Sequence, residues 1–244
     1  MLKTEEPGTK QILAFQNDRI ESVCHDNHLI NDCVVMGAEP LAVQDLVVCG
    51  RLEKSTVTRI VSAVSEGCVL TGGETTEQPD ILPTETYILG FSIVGVVDFE
   101  NVIDGTNIEV GDSVVAVASS GSHSNGYTLI RDLLVKHPSL KPHRCYYQSI
   151  KDLFDGRAVG LAHITGGGIK ENLNRILPAE VNAEIDLDLY KPPLVFEMIQ
   201  RVGGVSAAEM LRTFNLGVGL TIVCRDHNTA SSIDGYRGRG RRSI

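Results

Sequence analysis

Four short segments of this sequence place glycine, hydroxyl and amide groups where a folding core would use bulk. The first is Thr71-Gly72-Gly73-Glu74-Thr75. Paired glycines let backbone N–H groups approach a ligand, and a carboxylate beside them suits a cation bridging phosphates. The same residues also suit an ordinary turn with a solvated Glu74. The second runs from Ser119 to Tyr127 (SSGSHSNGY), between a strand-like run and a helix-like one, where helix N-terminal amides attract anions. A cap and a turn need only Ser or Asn with Gly. Ser120, His123 and Asn125 exceed that need and point to a binding loop. The third is His163-Ile164-Thr165-Gly166-Gly167-Gly168. Three successive glycines are costly in backbone entropy, so they mark a loop drawn closely onto a phosphate or onto another backbone. His163 fits a satisfied core histidine equally well. The fourth runs from Arg212 to Gly217 (RTFNLG), where Arg212 and Asn215 can reach a polar ligand; for Arg212 a surface ion pair is the plainer reading.

The elements that must hold these segments follow from periodicity. Pro40 to Gly50 (PLAVQDLVVCG) reads as a buried strand. A helix follows from about Glu53 to Gly67, with Val57, Ile60, Val61 and Val64 on one face. Tyr87 to Val97 reads as a second strand, and Asn101 to Gly111 is turn-rich. Ser113 to Ala118 (SVVAVA) has the unbroken apolar character of a strand covered on both faces. A helix holding Leu129, Ile130, Leu133 and Leu134 comes next. A helix over Ile169 to Ile176 and a strand over Gly217 to Cys224 complete the pattern. Strands alternating with helices of this length imply a layered α/β (α+β) protein, divided at the turn-rich stretch into residues 1–105 and 106–244.

Composition narrows the function classes. The 244 residues carry a net charge of −9, and Tyr236 to Ile244 holds four arginines and no acid. The preceding residues therefore set 18 basic against 31 acidic side chains, a balance of −13. That excludes a broad nucleic-acid or anionic-membrane surface. Six cysteines are scattered without a CxxC pair, so zinc spacing and a disulfide framework are not expected. No apolar run reaches membrane-spanning length, and the start, MLKTEEPGTKQ, has no apolar signal core; the expectation is a cytoplasmic protein without nucleic-acid or membrane partners. The P-loop, GxGxxG, HExxH and GxSxG patterns are missing.

Asn31 to Leu41 (NDCVVMGAEPL), Leu70 to Pro79 (LTGGETTEQP), Ser119 to Arg131 (SSGSHSNGYTLIR), Ala162 to Pro178 (AHITGGGIKENLNRILP) and Glu209 to Gly219 (EMLRTFNLGVG) occur in that order. Together they resemble the phosphoribosylformylglycinamidine cyclo-ligases, or aminoimidazole ribonucleotide synthetases, of purine biosynthesis. The resemblance implies ATP-dependent ring closure of a small ribonucleotide with magnesium. It implies a two-domain ATP-binding fold whose N-terminal mixed sheet meets that of a second subunit as a barrel in a homodimer, followed by a C-terminal α/β domain. Placed on this pattern, His123 and Asn125 are the catalytic candidates. Ser120, Thr165, Gly166, Gly167, Gly168, Arg212 and Asn215 are expected to bind the substrate. Gly72, Gly73, Glu74 and Thr75 are expected to bind ATP, and Asp32, Asp45 and Glu74 the metal. The sequence departs from the family where Ser122 replaces proline or leucine, in the tail after Arg225, and near the start, where only Gly8-Thr9-Lys10 resembles the end of a nucleotide loop. Two other readings are a catalytically silent dimerising domain and another member of the same ATP-binding superfamily, such as selenophosphate synthetase or thiamine-monophosphate kinase.

Overall fold

The computed structural model describes residues 1–24, 28–133, 144–187, 190–226, 229 and 236–239; Leu134 and residues 240–244 of the arginine-rich tail lie outside them. Two four-stranded sheets organise the described residues. The first contains β1 (Leu2–Glu5), β2 (Glu39–Cys49), β3 (Val69–Glu77) and β4 (Tyr87–Val96) in the order β1-β4-β2-β3. It is mixed: β2 and β3 are parallel, while β4 is antiparallel to both β1 and β2. Four helices belong to this part of the chain: α1 (Lys10–Gln16), α2 (Glu21–Cys24), α3 (His28–Val34) and α4 (Lys54–Gly67).

Helix α4 is the crossover that a parallel strand pair requires. Its predicted stripe is present, with Ile60 and Val64 buried and Val57 and Val61 half-buried. Strand β2, expected as a buried strand, is buried on one face. Val43, Asp45, Val47 and Cys49 are buried, whereas Gln44 and Leu46 between them are exposed. Pleating sends successive side chains to opposite faces, and helices α3 and α4 pack against the strands of this sheet.

The second sheet is antiparallel throughout, in the order β6-β7-β5-β8. It comprises β5 (Ser113–Ala118), β6 (Ala158–His163), β7 (Val218–Cys224) and β8 (Tyr236–Arg239). The remaining helices are α5 (Tyr127–Leu133), α6 (Tyr147–Ile150), α7 (Gly168–Asn174), α8 (Leu194–Gly203) and α9 (Ala207–Thr213). Strands β6 and β7 are buried along their whole length, His163 and Thr221 included. Helix α7 packs on β6 and β7 and against α9, and it ends at Asn174, two residues before the predicted end. One large cluster of buried side chains runs from Leu13 and Val47 in the first part to Phe196, Phe214 and Ile222 in the second. Among the described residues no helix is long and apolar enough to cross a membrane.

Candidate active site

A cleft of about 570 Å³ is lined by side chains from both parts of the chain. Lys3 and Glu5 come from β1, Gly8 from the turn before α1, and Asp32 from α3. Asn125 comes from the loop after β5, His163 from the end of β6, and Thr165, Asn172 and Arg175 from the segment that forms α7 and its flanks.

Asn31 and Asp32 join the two parts. Asn31 is buried; its Nδ2 donates to the Arg144 carbonyl at 2.8 Å and its Oδ1 accepts from the Tyr146 N–H at 2.9 Å. Asp32 Oδ1 lies 2.7 Å from His163 Nδ1, and Asp32 Oδ2 lies 3.0 Å from Lys3 Nζ. A carboxylate only accepts, so His163 Nδ1 carries the proton and Nε2 is the basic nitrogen of the neutral ring. Burial pulls the Lys3 pKa down, but the hydrogen bonds its ammonium donates to Glu5 and Asp32 outweigh it and hold Lys3 above its ordinary range.

His123, the histidine chosen from the sequence, stands behind this pair and does not line the cleft. Its ring centroid is 5.3 Å from that of His163. Its Nδ1 donates to the Ile164 carbonyl at 2.7 Å, and its Nε2 faces the Tyr146 hydroxyl at 3.4 Å. Away from the cleft lining and with both nitrogens facing protein partners, His123 is placed to support the cleft rather than to exchange protons with a ligand. Tyr146 is also buried, and burial raises its hydroxyl pKa well above the ordinary value.

The glycine loop is the clearest correction. The Gly167 N–H donates to the Arg212 carbonyl at 2.9 Å, and the Gly168 N–H donates to the Thr165 carbonyl at 3.1 Å. These two amides therefore do not converge on an anion. Gly168, at φ +62°, lies so close to α9 that a Cβ would come within 1.9 Å of the Leu211 carbonyl oxygen. The glycines serve a backbone approach, the other of the two uses that three glycines suggested. Gly166, Gly167 and Gly168 do not line the cleft, whereas Thr165 does.

The remaining candidates divide as follows. Asn125 lines the cleft; Ser120 does not. Arg212 is an exposed ion-pair partner of Glu209 at 2.7 Å. Asn215 is buried, and its Nδ2 donates to Ser119 Oγ at 2.9 Å and to the Gly121 carbonyl at 3.0 Å. It clamps the start of the 119–126 loop.

Thr71 to Thr75 is neither a turn nor a loop but part of edge strand β3. Gly73 pairs with Asp45, and a Cβ there would collide with the Asp45 carboxylate. Glu74 pairs with Leu46 on the opposite, exposed face. Asp45 and Glu74 therefore face away from each other, and Asp32 binds Lys3 and His163. Among the described residues no group of three His, Cys, Asp or Glu side chains has an arrangement that could hold a metal ion. The three carboxylates do not fit a shared magnesium site. His163, Asn172 and Arg175 are among the cleft residues that motif reading did not select. The signal was present in HITGGGIKENLNR, but the glycines drew attention from the polar side chains beside them.

Comparison with known proteins agrees with this architecture. Residues 27–97 match the model of the AIR synthase related protein N-terminal domain, and residues 109–237 match that of the C-terminal domain. A phosphoribosylformylglycinamidine cyclo-ligase of Bacillus cereus (strain AH187) is 38% identical over 251 residues, covering 92% of this chain and 72% of the relative. The cyclo-ligase of Bacillus thuringiensis (strain Al Hakam) matches at the same identity and coverage. Among solved structures, the hydrogenase maturation protein HypE superposes with a TM-score of 0.74 at 15% identity, covering 100% of this chain and 80% of that one. Thiamine monophosphate kinase from Aquifex aeolicus gives 0.66 at 17%, covering 98% and 84%. T. maritima PurL complexed with AMPPCP gives 0.61 at 17%; the match covers 94% of this chain but only 36% of that one. These structural likenesses establish the fold. With both domain models matched in order and cyclo-ligases among its relatives at 38% identity, the chain belongs to the AIR synthase related family.

Proposed function

We propose that this chain catalyses the ATP-dependent closure of formylglycinamidine ribonucleotide to aminoimidazole ribonucleotide. Its identity with named cyclo-ligases supports the reaction class. The observation that carries the mechanism is the Asp32–His163 pair at a cleft large enough for a nucleotide-sized ligand. Bound ATP would supply the phosphoryl group that turns the formamide oxygen into a leaving group. The chain's own residues then have two tasks. Asn125 and Thr165 hold the substrate in the cleft. His163 Nε2 accepts the proton lost by the amidine nitrogen as that nitrogen bonds to the formyl carbon and the phosphorylated oxygen departs. Asp32 fixes the ring's tautomer and stabilises the imidazolium that forms. The nucleotide belongs at the Gly8 end of the cleft, beside the part of the sequence that resembles the end of a nucleotide loop. Because Asp32, Asp45 and Glu74 do not converge, no step is routed through magnesium.

The division at residues 105 and 106 and a homodimer belong to the same proposal. The outer face of the first sheet exposes Leu2, Leu46, Ile88, Val94 and Val96, an apolar surface that a second copy of the sheet would cover.

The test is turnover of formylglycinamidine ribonucleotide with ATP, followed as ADP release. A positioned acid–base group contributes roughly 10²–10⁴-fold, so His163→Ala should lower kcat by at least ~100-fold with the melting temperature little changed. Absence of substrate-dependent ADP release in the unmodified chain overturns the reading and favours a silent domain.

A further inference from the structure

We propose that Arg175 anchors the 5′-phosphate of the ribonucleotide and that Asn172 aims it, a phosphate-monoester subsite resting on the cyclo-ligase reading above. Asn172 is 5% exposed. Its Nδ2 donates to the Gly168 carbonyl at 2.8 Å and to the Gly166 carbonyl at 3.1 Å. Its Oδ1 accepts from Arg175 Nη1 at 3.2 Å. One buried amide thus ties the glycine loop to the guanidinium beside it.

Charge pairing separates Arg175 from the other cleft cations. Lys3 is held by Glu5 and Asp32, and His163 by Asp32. Arg212, the arginine chosen from the sequence, is held by Glu209 outside the cleft. Arg175 makes no ion pair with an acid among the described residues; its one recorded hydrogen bond is to the neutral Asn172 oxygen. A bond to one nitrogen leaves the rest of the planar fork to meet a phosphate, and a guanidinium without a carboxylate keeps its full charge for an anion.

The cleft is otherwise acidic: Glu5, Glu6, Asp32 and Asp104 also line it, and carboxylates repel a bare phosphate monoester. In a chain of net charge −9, a phosphate monoester needs a local cation. Thr165 and Asn125 line the cleft with Arg175 and add uncharged hydrogen-bonding groups.

Calorimetric titration of the full chain with aminoimidazole ribonucleotide, and with its riboside lacking the phosphate, tests the subsite directly. The unmodified chain should bind the ribonucleotide about 10- to 100-fold more tightly, the range that hydrogen bonds to a charged group support. Arg175→Ala should remove that preference, leave riboside affinity unchanged, raise KM for the ribonucleotide and leave KM for ATP unchanged. Arg175→Lys should recover part of the preference, because it restores charge but not the fork. Asn172→Ala should weaken ribonucleotide binding more than riboside binding, with melting temperature measured alongside to separate aiming from loop stability. Equal affinity for the two ligands in the unmodified chain, or a full preference surviving in Arg175→Ala, overturns the proposal. A preference for phosphate without any ADP release leaves the anchor standing and removes the cyclo-ligase reading; ADP release with ribonucleotide KM unchanged in Arg175→Ala does the reverse.

Discussion

Asp32 touches both Lys3 and His163, so its effect on turnover should pass through the histidine. Asp32→Asn keeps the shape but removes the charge that stabilises an imidazolium. It should lower kcat by about tenfold or more in the unmodified background, yet add little to His163→Ala, because two residues acting as a unit are not additive. Equal losses in both backgrounds, read from ADP-release kinetics, would show that Asp32 acts independently. Asp45 behaves differently. Burial raises its carboxyl pKa above the ordinary value of 3.8, so the folded state binds its proton more tightly than the unfolded state does. Stability is then lost as pH rises through the unfolded and then the folded pKa, and the ionised group burdens the fold above that window. Asp45→Asn should raise the melting temperature at about pH 7, and its advantage should vanish as pH falls toward about 4. An advantage that grows on acidification would contradict burial as the cause.

At the scale of elements, the 119–126 and 165–168 segments are held by hydrogen bonds from Asn215 and Asn172. Asn215 joins the start of the first loop to the end of α9, and its Oδ1 is buried without a hydrogen-bond partner among the described residues. Removing the amide leaves Ser119 Oγ and the Gly121 carbonyl short of a donor. Asn215→Ala should therefore cost about 1–3 kcal/mol in urea unfolding while ligand affinity falls only as far as the loop loosens. Gly168→Ala would place a methyl group against the Leu211 carbonyl at a positive φ, costing roughly 1–3 kcal/mol from backbone strain and more from the collision. A stable Gly168→Ala variant with lost phosphate binding would revive the anion cradle that the hydrogen bonds of Gly167 and Gly168 argue against.

For the whole molecule, the proposed association rests on the outer face of the first sheet. Leu46, Ile88 and Val94 are 44%, 38% and 44% exposed on adjacent strands, a patch that an isolated subunit leaves in water. Sedimentation at micromolar concentration should show a dimer, and Leu46→Glu should dissociate it because a carboxylate would be buried without a partner. A monomeric unmodified chain would leave that face for another partner. The cleft draws Lys3 and Asp32 from one part of the chain and His163 and Arg175 from the other, so its geometry depends on the Asn31 and Asp32 contacts that hold the two parts together.

Periodicity and composition sufficed for the α4 stripe, the strands at Tyr87–Val96 and Val218–Cys224, and the mixed layered class, because burial repeats locally with helix or strand geometry. Five ordered motifs also carried the family. Four assignments needed the tertiary structure. Thr71 to Thr75 became a strand because β2 offered it a parallel edge, which overrode the turn preference of Gly72 and Gly73. Gly168 proved to be there for α9, more than forty residues away in sequence, and the Gly167 N–H bonds the same helix. His163 is preferred to His123 in the proposed reaction because Asp32, 131 residues distant, reaches its Nδ1. Arg175 lines the cleft and Arg212 does not, although each has its polar partner only three residues away, Asn172 and Glu209 respectively. Residue types, local spacing and such i,i+3 contacts were legible in one dimension. Which side chains share one cleft is settled by contacts between segments far apart in the chain.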